Sequence, residues 1–264
     1  MVKLSITIVN YNQKYFPKLC VEALKKSKTD FEFEIIICDN NSHDDSLDYL
    51  KKAHEEGLIK LVEPGRNLGY GAGHNFAARE AKGKYLLILN TDITVEPDTL
   101  QKLVDYMEEH KDVGMVGPKL MYHDGRIQQS CRRHFKIFDL FIKRSFLKKM
   151  WPFKQRYRRY IMGDFNHSST QVVDLITGAF MVMPRELFEK INGFDERYFM
   201  FMEDFDLCRK TQDAGYKVVY YPEAVAVHYH KRLSDGSWFK LPFKKVFWFH
   251  FHSAIKYHWK WRSR

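Results

Sequence analysis

The hydrophobic pattern of the first 112 residues alternates short apolar runs with segments of helical spacing. The apolar runs are short enough to be strands buried on both faces, and they span residues 4–9, 34–38, 58–62 and 85–89. Apolar residues recur every three or four positions in four other segments, which predicts helices over 15–27, 46–56, 73–81 and 98–110. This alternation is typical of an α/β fold with an open, doubly wound, mostly parallel sheet.

Beyond residue 112 the pattern is less regular. It predicts strands over 113–121, 175–183, 218–220 and 224–227, and helices over 185–191 and 203–214. The chain has 264 residues, which is enough for one large domain with a well-buried core. We therefore expect a single domain with an appendage.

The positive charge of the chain is concentrated in two segments. Residues 131–160 contain eleven Lys and Arg against one acid, and residues 231–264 contain nine against one, while the whole chain carries +10. The remaining body is therefore acidic. Both basic segments are rich in aromatic residues, and four of the five tryptophans follow residue 237. Such segments indicate anionic partners.

The first residues and the cysteines bear on the compartment. The apolar run that follows Lys3 is too short for a secretory signal, and no run approaches the roughly 18 apolar residues of a membrane span. The four cysteines are scattered, with the spacing of neither a zinc site nor a disulfide framework. We expect a protein of the reducing cytoplasm.

Polar residues end three of the predicted strands. Asn10, Asp39, and Thr91 with Asp92 each follow an apolar run. In open α/β sheets, ligands bind beyond the carboxyl ends of the strands. Asn and Asp are also ordinary turn residues, but three such clusters on one rim favour a binding site.

The segment 67–75 is a glycine-rich turn before a predicted helix. A dinucleotide fingerprint starting at Gly69 would need glycine at position 74, which is His74, so the NAD motif is absent. The turn either lets backbone amides approach a phosphate or sugar, or is a plain loop.

Candidate metal ligands lie at two strand ends. Asp92 suits a hard divalent ion such as Mg²⁺ or Mn²⁺, which prefers oxygen ligands and often bridges a carboxylate to substrate phosphates. His228 could supply a nitrogen to the same ion, although a lone histidine at a strand end is also commonly structural.

Three acids, Glu203, Asp204 and Asp206, follow an aromatic run at 198–201. In the first turn of a helix they would be favoured by the helix dipole, and Asp206 could pair with Lys210 four residues later. Because buried carboxylates need partners, the same cluster could instead be catalytic.

Together these residues resemble the family 2 glycosyltransferases of the GT-A fold, and among them the rhamnosyltransferase-like branch. The resemblance is co-linear over residues 1 to about 230. The segments that carry it are 6–12 (Ile-Thr-Ile-Val-Asn-Tyr-Asn), 37–42, 67–75, 89–92, 177–179 (Thr-Gly-Ala), 193–196, 203–207 and 222–228.

The resemblance implies a role for each matching residue. Asp204 would be the catalytic base, with Glu203 beside it, and Asp92 and His228 would hold a divalent metal, Mn²⁺ or Mg²⁺. The residues implied to bind the nucleotide-sugar are Val9, Asn10, Tyr11, Asp39, Asn67, Gly69, Asn75, Asn90 and Thr91. Asn90 departs from the acid that many members carry, which leaves fewer charges for the metal.

The resemblance also implies an inverting glycosyltransferase, with dTDP-L-rhamnose as the expected donor and a saccharide or lipid-linked glycan as the acceptor. Residues 1–230 would form the GT-A domain, with a nucleotide-sugar half (1–112) and an acceptor half (113–230) that carries the basic insertion 131–160. In segment 231–264, Phe243, Phe247, Phe251, Ile255 and His258 recur at helical spacing. This segment would touch the cytosolic membrane face as an amphipathic helix, pack on the domain, or form a homodimer contact.

Two other functions fit parts of the sequence. A non-catalytic protein on a degenerate transferase fold could bind nucleic acid or lipid through its basic aromatic segments, but the presence of both Asp92 and Asp204 argues against degeneracy. A sugar nucleotidyltransferase would carry a glycine-rich, basic triphosphate loop after its first strand. Residues 10–13, Asn-Tyr-Asn-Gln, are not such a loop.

Overall fold

The computed structural model describes residues 1–135, 138, 139, 142, 145–229 and 245–262. The strands are β1 (Leu4–Asn10), β2 (Phe33–Asp39), β3 (Lys60–Val62), β4 (Tyr85–Asn90), β5 (Ile93–Val95), β6 (Val113–Met121), β7 (Cys131–Arg132), β8 (Gln171–Val172), β9 (Leu175–Ile176), β10 (Phe180–Pro184) and β11 (Lys217–His228). The helices are α1 (Phe16–Lys25), α2 (Ser46–Glu55), α3 (Tyr70–Ala78), α4 (Thr99–Glu109), α5 (Phe153–Tyr160), α6 (Arg185–Lys190), α7 (Glu203–Asp213) and α8 (Lys245–Trp261). A 3-10 helix spans Phe146–Lys149.

The central sheet has the strand order β3-β2-β1-β4-β10-β6-β11-β5, with β8 paired to β11. Strands β3, β2, β1, β4, β6 and β11 run in one direction, whereas β10, β5 and β8 run against them. The predicted open, mostly parallel α/β sheet is therefore confirmed. Strands β7 and β9 form a separate antiparallel pair.

The continuous apolar runs are explained by burial on both faces of the sheet. Successive side chains of a strand point to opposite faces. In β4, Leu87 and Leu89 pack into the cluster that contains α1 and α4, whereas Leu86 and Ile88 pack into the cluster that contains α6 and α7. Because β4 is covered on both sides, its only polar side chain other than Tyr85 is Asn90 at its end.

The first four predicted strands and helices are confirmed, with small shifts at their ends. Helix α3 begins at Tyr70 rather than Gly73, and the predicted strand 175–183 is divided into β9 and β10 around Gly178. The two strands predicted over 218–227 are one strand, β11, whose pairing with β6 is interrupted between Tyr221 and Val225. Strand β5 was not predicted.

Helix α8 packs against the segment that precedes α7. Ala254, Tyr257 and Trp261 form an apolar cluster with Tyr198 and Met202. The stripe that the sequence analysis names is not the face that packs on the domain, because Phe251 and His258 are exposed; Phe243 lies outside the described residues, and membrane contact stays a prediction. The division of the chain at residue 230 stays a prediction.

Asp206 is the polar anchor of this packing. Its carboxylate is fully buried and accepts hydrogen bonds from Trp261 Nε1 at 2.8 Å and from Lys260 Nζ at 2.7 Å. Lys210, its expected partner, donates instead to the carbonyl of Gly193. A buried carboxylate is tolerated only with such donors, so Asp206 fixes the end of α8 against α7.

The outward side of α8 carries Trp248, Phe251 and Trp259, which are 48 %, 45 % and 61 % exposed. Among the residues that the structure describes, no helix has both the length and the apolar character needed to cross a bilayer.

Candidate active site

The ends of three strands meet at one rim of the sheet, as the sequence predicts. Asn10 pairs with Asp39 across β1 and β2, and Val9 pairs with Asn90 across β1 and β4. Because these strands are parallel, their carboxyl ends share one edge. The loop that contains Gly178 joins the same edge, since the Asn90 N–H donates to the Ala179 carbonyl at 2.9 Å.

Asn10 and Asp39 form a buried network that shapes the rim. The Asn10 carboxamide donates to Asp39 Oδ1 at 2.7 Å and to the Ser42 and Ser46 hydroxyls at 3.1 and 2.9 Å. Asp39 also accepts from the Ser42 N–H at 2.8 Å. These bonds hold the β1 and β2 loops together. Tyr11 is 45 % exposed beside them, so it has surface available for a ligand.

The glycine-rich turn is shaped by a close approach to the segment before α7. Gly69 has φ 86°, and a Cβ there would lie 2.3 Å from the Phe199 carbonyl oxygen. Only glycine fits both conditions. The Asn67 side chain accepts from the Gly69 N–H at 2.9 Å, which holds the turn.

Asn75 lies away from the strand ends. Its carboxamide donates to the Phe194 carbonyl and accepts from the Phe194 N–H, both at 2.9 Å. It therefore ties α3 to the loop that leads to α7. The contact of these predicted residues with a nucleotide-sugar stays a prediction.

The antiparallel pairing of β5 with β11 brings Asp92 to His228. Ile93 is opposite His228, and the His228 Nε2 lies 3.2 Å from Asp92 Oδ1. The other ring nitrogen, Nδ1, is 2.9 Å from the Gln128 Oε1. When the Gln128 amide oxygen accepts from Nδ1–H, the Nε2 lone pair is left on the carboxylate side, where an ion could use it.

This pair fits a divalent ion. Two ligand atoms bound to one ion at about 2.1 Å lie roughly 3 Å apart in octahedral geometry. An imidazole fixed by a second hydrogen bond is the usual form of a metal-ligating histidine. The described residues contain no group of three or more His, Cys, Asp or Glu that could hold an ion, so Asp92 and His228 would provide only part of a coordination shell.

A left-handed turn places the acids at the start of α7. Phe201 and Met202 both have positive φ, 70° and 71°, which is uncommon outside glycine. The turn reverses the chain so that Glu203 and Asp204 occupy the first turn of the helix. Backbone strain of this kind is often retained at functional sites.

Asp204 is held by backbone donors. Its Oδ2 accepts from the Gly178 N–H at 3.0 Å, and its Oδ1 accepts from the Phe205 N–H at 2.9 Å. Such donors favour the ionised carboxylate. A Cβ at position 178 would lie 2.9 Å from the Asp204 Cβ, so glycine permits this approach.

Glu203 differs from its neighbour. Its carboxyl group is buried, and burial together with the adjacent Asp204 raises its pKa well above the ordinary value. Two neighbouring carboxyls in unlike surroundings can take different protonation states. Glu203 therefore favours the neutral acid beside the partly exposed Asp204.

Tyr70 joins the two halves of the site. Its hydroxyl lies 2.7 Å from the Gly178 carbonyl oxygen and 3.0 Å from the Asn90 Oδ1. Burial, followed by the charges of Glu203, Asp204 and Asp92, raises its pKa well above the ordinary value, so the phenol keeps its proton. Tyr70 thus links the end of β4 to the loop that holds Asp204.

The sequence analysis did not identify Tyr70 or Gln128. Tyr70 lies inside the glycine-rich turn, which the sequence marks as a possible binding segment. Its own role was not predictable, because its two hydrogen bonds reach residues 20 and 108 positions away. Gln128 had no signal at all, because it meets His228 across 100 residues of sequence.

Two models of protein families match the sequence of this chain. The model described as glycosyl transferase family 2 matches residues 5–191. A second model, described as the N-terminal domain of galactosyltransferase, matches residues 164–232. The first match covers more than half of the chain, and the chain belongs to glycosyl transferase family 2.

Within the family the chain is similar to rhamnosyltransferases. It is 30% identical to the rhamnosyltransferase WbbL of Escherichia coli (strain K12) over an alignment of 264 positions that covers 96% of this chain and 91% of WbbL. It is 27% identical over 222 residues to N-acetylglucosaminyl-diphospho-decaprenol L-rhamnosyltransferase of Mycobacterium tuberculosis (strain ATCC 25618 / H37Rv), covering 79% of this chain and 70% of that protein.

Solved structures share the fold at low identity. GalNAc-T7 with UDP, GalNAc and Mn²⁺ superposes with a TM-score of 0.68 and 17% identity, covering 90% of this chain and 45% of that one. The mannosyltransferase PcManGT from Pyrobaculum calidifontis, in complex with GDP-Man and Mn²⁺, superposes with a TM-score of 0.59 and 18% identity. The superposition covers 88% of this chain and 58% of that one. The chain is a glycosyltransferase with the GT-A fold.

Proposed function

We propose that the chain is an inverting, divalent-metal-dependent glycosyltransferase that moves L-rhamnose from dTDP-L-rhamnose to a lipid-linked glycan in cell-surface polysaccharide synthesis. The observation that carries the proposal is the arrangement of the rim. Asp204, at the start of α7, is linked through Gly178 and Tyr70 to Asn90, two residues before Asp92. A base and a partial cation site would therefore share one rim of the sheet.

Asp204 has the surroundings that a general base needs. Inversion requires a base that takes the acceptor hydroxyl's proton as its oxygen attacks the anomeric carbon from the side opposite the leaving group. The backbone N–H groups of Gly178 and Phe205 orient the Asp204 carboxylate. The neutral form favoured at Glu203 avoids a second negative charge beside it.

Asp92 and His228 would hold the divalent ion. When bound, the ion would act as a Lewis acid that stabilises the departing nucleoside diphosphate. The contact with Gln128 orients the His228 ring, and with the amide oxygen as acceptor it leaves Nε2 for the ion. Asn90 adds no charge to this site.

The donor and acceptor are inferred from the relatives. The names of two similar proteins state that they are rhamnosyltransferases, and one of them names an acceptor with a sugar, a diphosphate and a polyprenol. An acceptor of that kind sits at a membrane surface. We infer that this chain works on a similar acceptor at the cytosolic membrane face, where the exposed Trp248, Phe251 and Trp259 of α8 would enter the lipid interface.

The variant Asp204→Asn tests the assignment of the base. It keeps the size of the side chain and one of the two acceptor oxygens, so one backbone N–H loses its partner, and the amide cannot take a proton at neutral pH. We expect transfer to fall by at least a hundredfold, while the Kd for the nucleotide-sugar, measured by calorimetry, changes less than threefold.

The matched control is Asp213→Asn at the far end of the same helix, which should leave transfer unchanged. Near-normal turnover of Asp204→Asn would refute its role as the base.

A panel of nucleotide-sugars, scored by thermal stabilisation in Mn²⁺ or Mg²⁺, identifies the donor. Preference for a donor other than dTDP-L-rhamnose would overturn that part of the proposal alone.

A further inference from the structure

The basic insertion forms an open cavity of about 640 Å³. Three guanidinium groups line it, those of Arg133, Arg158 and Arg159. Arg158 pairs with Asp164, and Arg133 lies 3.8 Å from Asp174. Within the part of the chain that the structure describes, the Arg159 guanidinium makes no ion pair. We call this site the arginine cavity.

The rest of the lining suits a sugar phosphate better than a protein surface. Gln155 and Gln171 present carboxamides that can bond sugar hydroxyls, while Met162 and Phe165 supply apolar surface. Among the described residues that line the cavity, Asp164 is the only acid, so the cavity keeps an excess of positive charge. Planar guanidinium groups bind phosphate oxygens in pairs of hydrogen bonds.

The arginine cavity is coupled to the segment that holds the proposed base. Arg133 donates its N–H to the carbonyl of Tyr160, the last residue of α5, at 2.9 Å. The Phe135 ring contacts Tyr160 at 5.6 Å and Phe205, the residue after Asp204, at 5.5 Å between ring centroids. These contacts connect the wall of the cavity to the residue that follows the proposed base.

The residues before α5 add exposed apolar surface. Phe146, Met150 and Trp151 are 73 %, 48 % and 75 % exposed. Aromatic side chains beside cationic ones are typical of surfaces that meet the boundary between lipid chains and headgroups. The same segment thus offers guanidinium groups for an anion and aromatic rings for an attached apolar chain.

We propose, building on the proposed function, that the arginine cavity binds the diphosphate of a lipid-linked acceptor, with the lipid chain leaving over Phe146 and Trp151. Anchoring the diphosphate there would hold the acceptor on this chain while transfer takes place. The inference concerns recognition, and no bond is made or broken in the cavity.

Binding of labelled farnesyl diphosphate to the full chain, measured by fluorescence anisotropy, tests this site without requiring transfer. The variants Arg159→Gln and Arg133→Gln should weaken binding three- to tenfold each. Labelled farnesol, which lacks the diphosphate, should bind at least tenfold more weakly than farnesyl diphosphate and should not respond to either variant. Lys154→Gln is the matched control, because Lys154 is exposed on α5, carries the same charge and does not line the cavity.

Equal weakening by Lys154→Gln and Arg159→Gln would overturn the site in favour of general charge attraction. Vesicles of phosphatidylglycerol separate a second source of phosphate. If Arg159→Gln lowers binding to these vesicles and leaves farnesyl diphosphate binding unchanged, the cavity recognises membrane headgroups and the inference is wrong. Loss of transfer with all substrates, alongside diphosphate binding that depends on Arg159, would refute the proposed function and keep the site.

Discussion

Replacing Asn90 by aspartate should lower the turnover number about thirtyfold, although it restores an acid next to the proposed metal site. The reason is the single proton of the Tyr70 hydroxyl, which lies 2.7 Å from the Gly178 carbonyl oxygen and 3.0 Å from the Asn90 side chain. A carbonyl can only accept, so the proton belongs to Gly178. Asn90 can then rotate its amide and donate its own N–H to the phenol oxygen, which aspartate cannot do.

The magnitude follows from the partner that is lost. With aspartate at position 90, either the new carboxylate or the Gly178 carbonyl stays without a donor in a largely buried site. That costs about 2 kcal/mol, or about thirtyfold in rate if it displaces the loop that orients Asp204. Tyr70→Phe should cost about tenfold for the same reason. In the Tyr70→Phe background, Asn90→Asp should cost less than about threefold, because the opposing oxygen is gone.

The assay is a double-mutant cycle on kcat and on the donor KM. Coupling between positions 70 and 90 should appear in kcat, while the donor KM changes less. Circular dichroism and melting temperature serve as folding controls. Additive effects of the two substitutions, or tighter Mn²⁺ binding and faster turnover of Asn90→Asp, would refute the proton assignment.

Three further outcomes are expected. Gln128→Leu should raise the Mn²⁺ concentration for half-maximal activity about tenfold, because the His228 ring loses the bond that orients it. The control Gln129→Leu, at the exposed neighbouring position, should leave this concentration unchanged. Equal effects of the two variants would contradict the role of Gln128 in orienting His228. Burial lowers the pKa of His74 from 6.5 to about 3, so the unfolded chain takes up a proton that the folded ring excludes. The free energy of unfolding should fall by about 2 kcal/mol between about pH 7.5 and about pH 5, and denaturant titrations of His74→Gln should lack this part of the slope. Replacing Trp248 and Trp259 together by serine should weaken binding to anionic vesicles at least fivefold without changing the melting temperature, and unchanged partitioning would argue against membrane contact through α8.

Truncation is a poorer test of the α8 surface than substitution. Removing the helix would take Lys260 and Trp261 from the Asp206 carboxylate and would uncover the apolar side chains of Tyr198 and Met202. A truncated chain would therefore lose stability whether or not the helix touches lipid.

The sequence by itself determined the architecture and the rim. Short runs made mostly of apolar residues are typical of strands covered on both sides, and polar residues directly after such runs lie at the sheet edge. Local periodicity reports local burial, so these elements could be predicted without knowing their neighbours. The family followed from motifs in a fixed order, and the family match over residues 5–191 confirms it.

Only the tertiary structure decided which polar groups meet. The contact of Asp204 with Gly178, the bridge made by Tyr70 and the support of His228 by Gln128 join residues 20 to 108 positions apart. Asp206 likewise has the pattern of a helix cap in sequence and becomes the anchor of α8 through residues 54 and 55 positions later. Periodicity identifies which side chains are buried, but the hydrogen-bond partner of a buried polar group depends on how distant elements pack together.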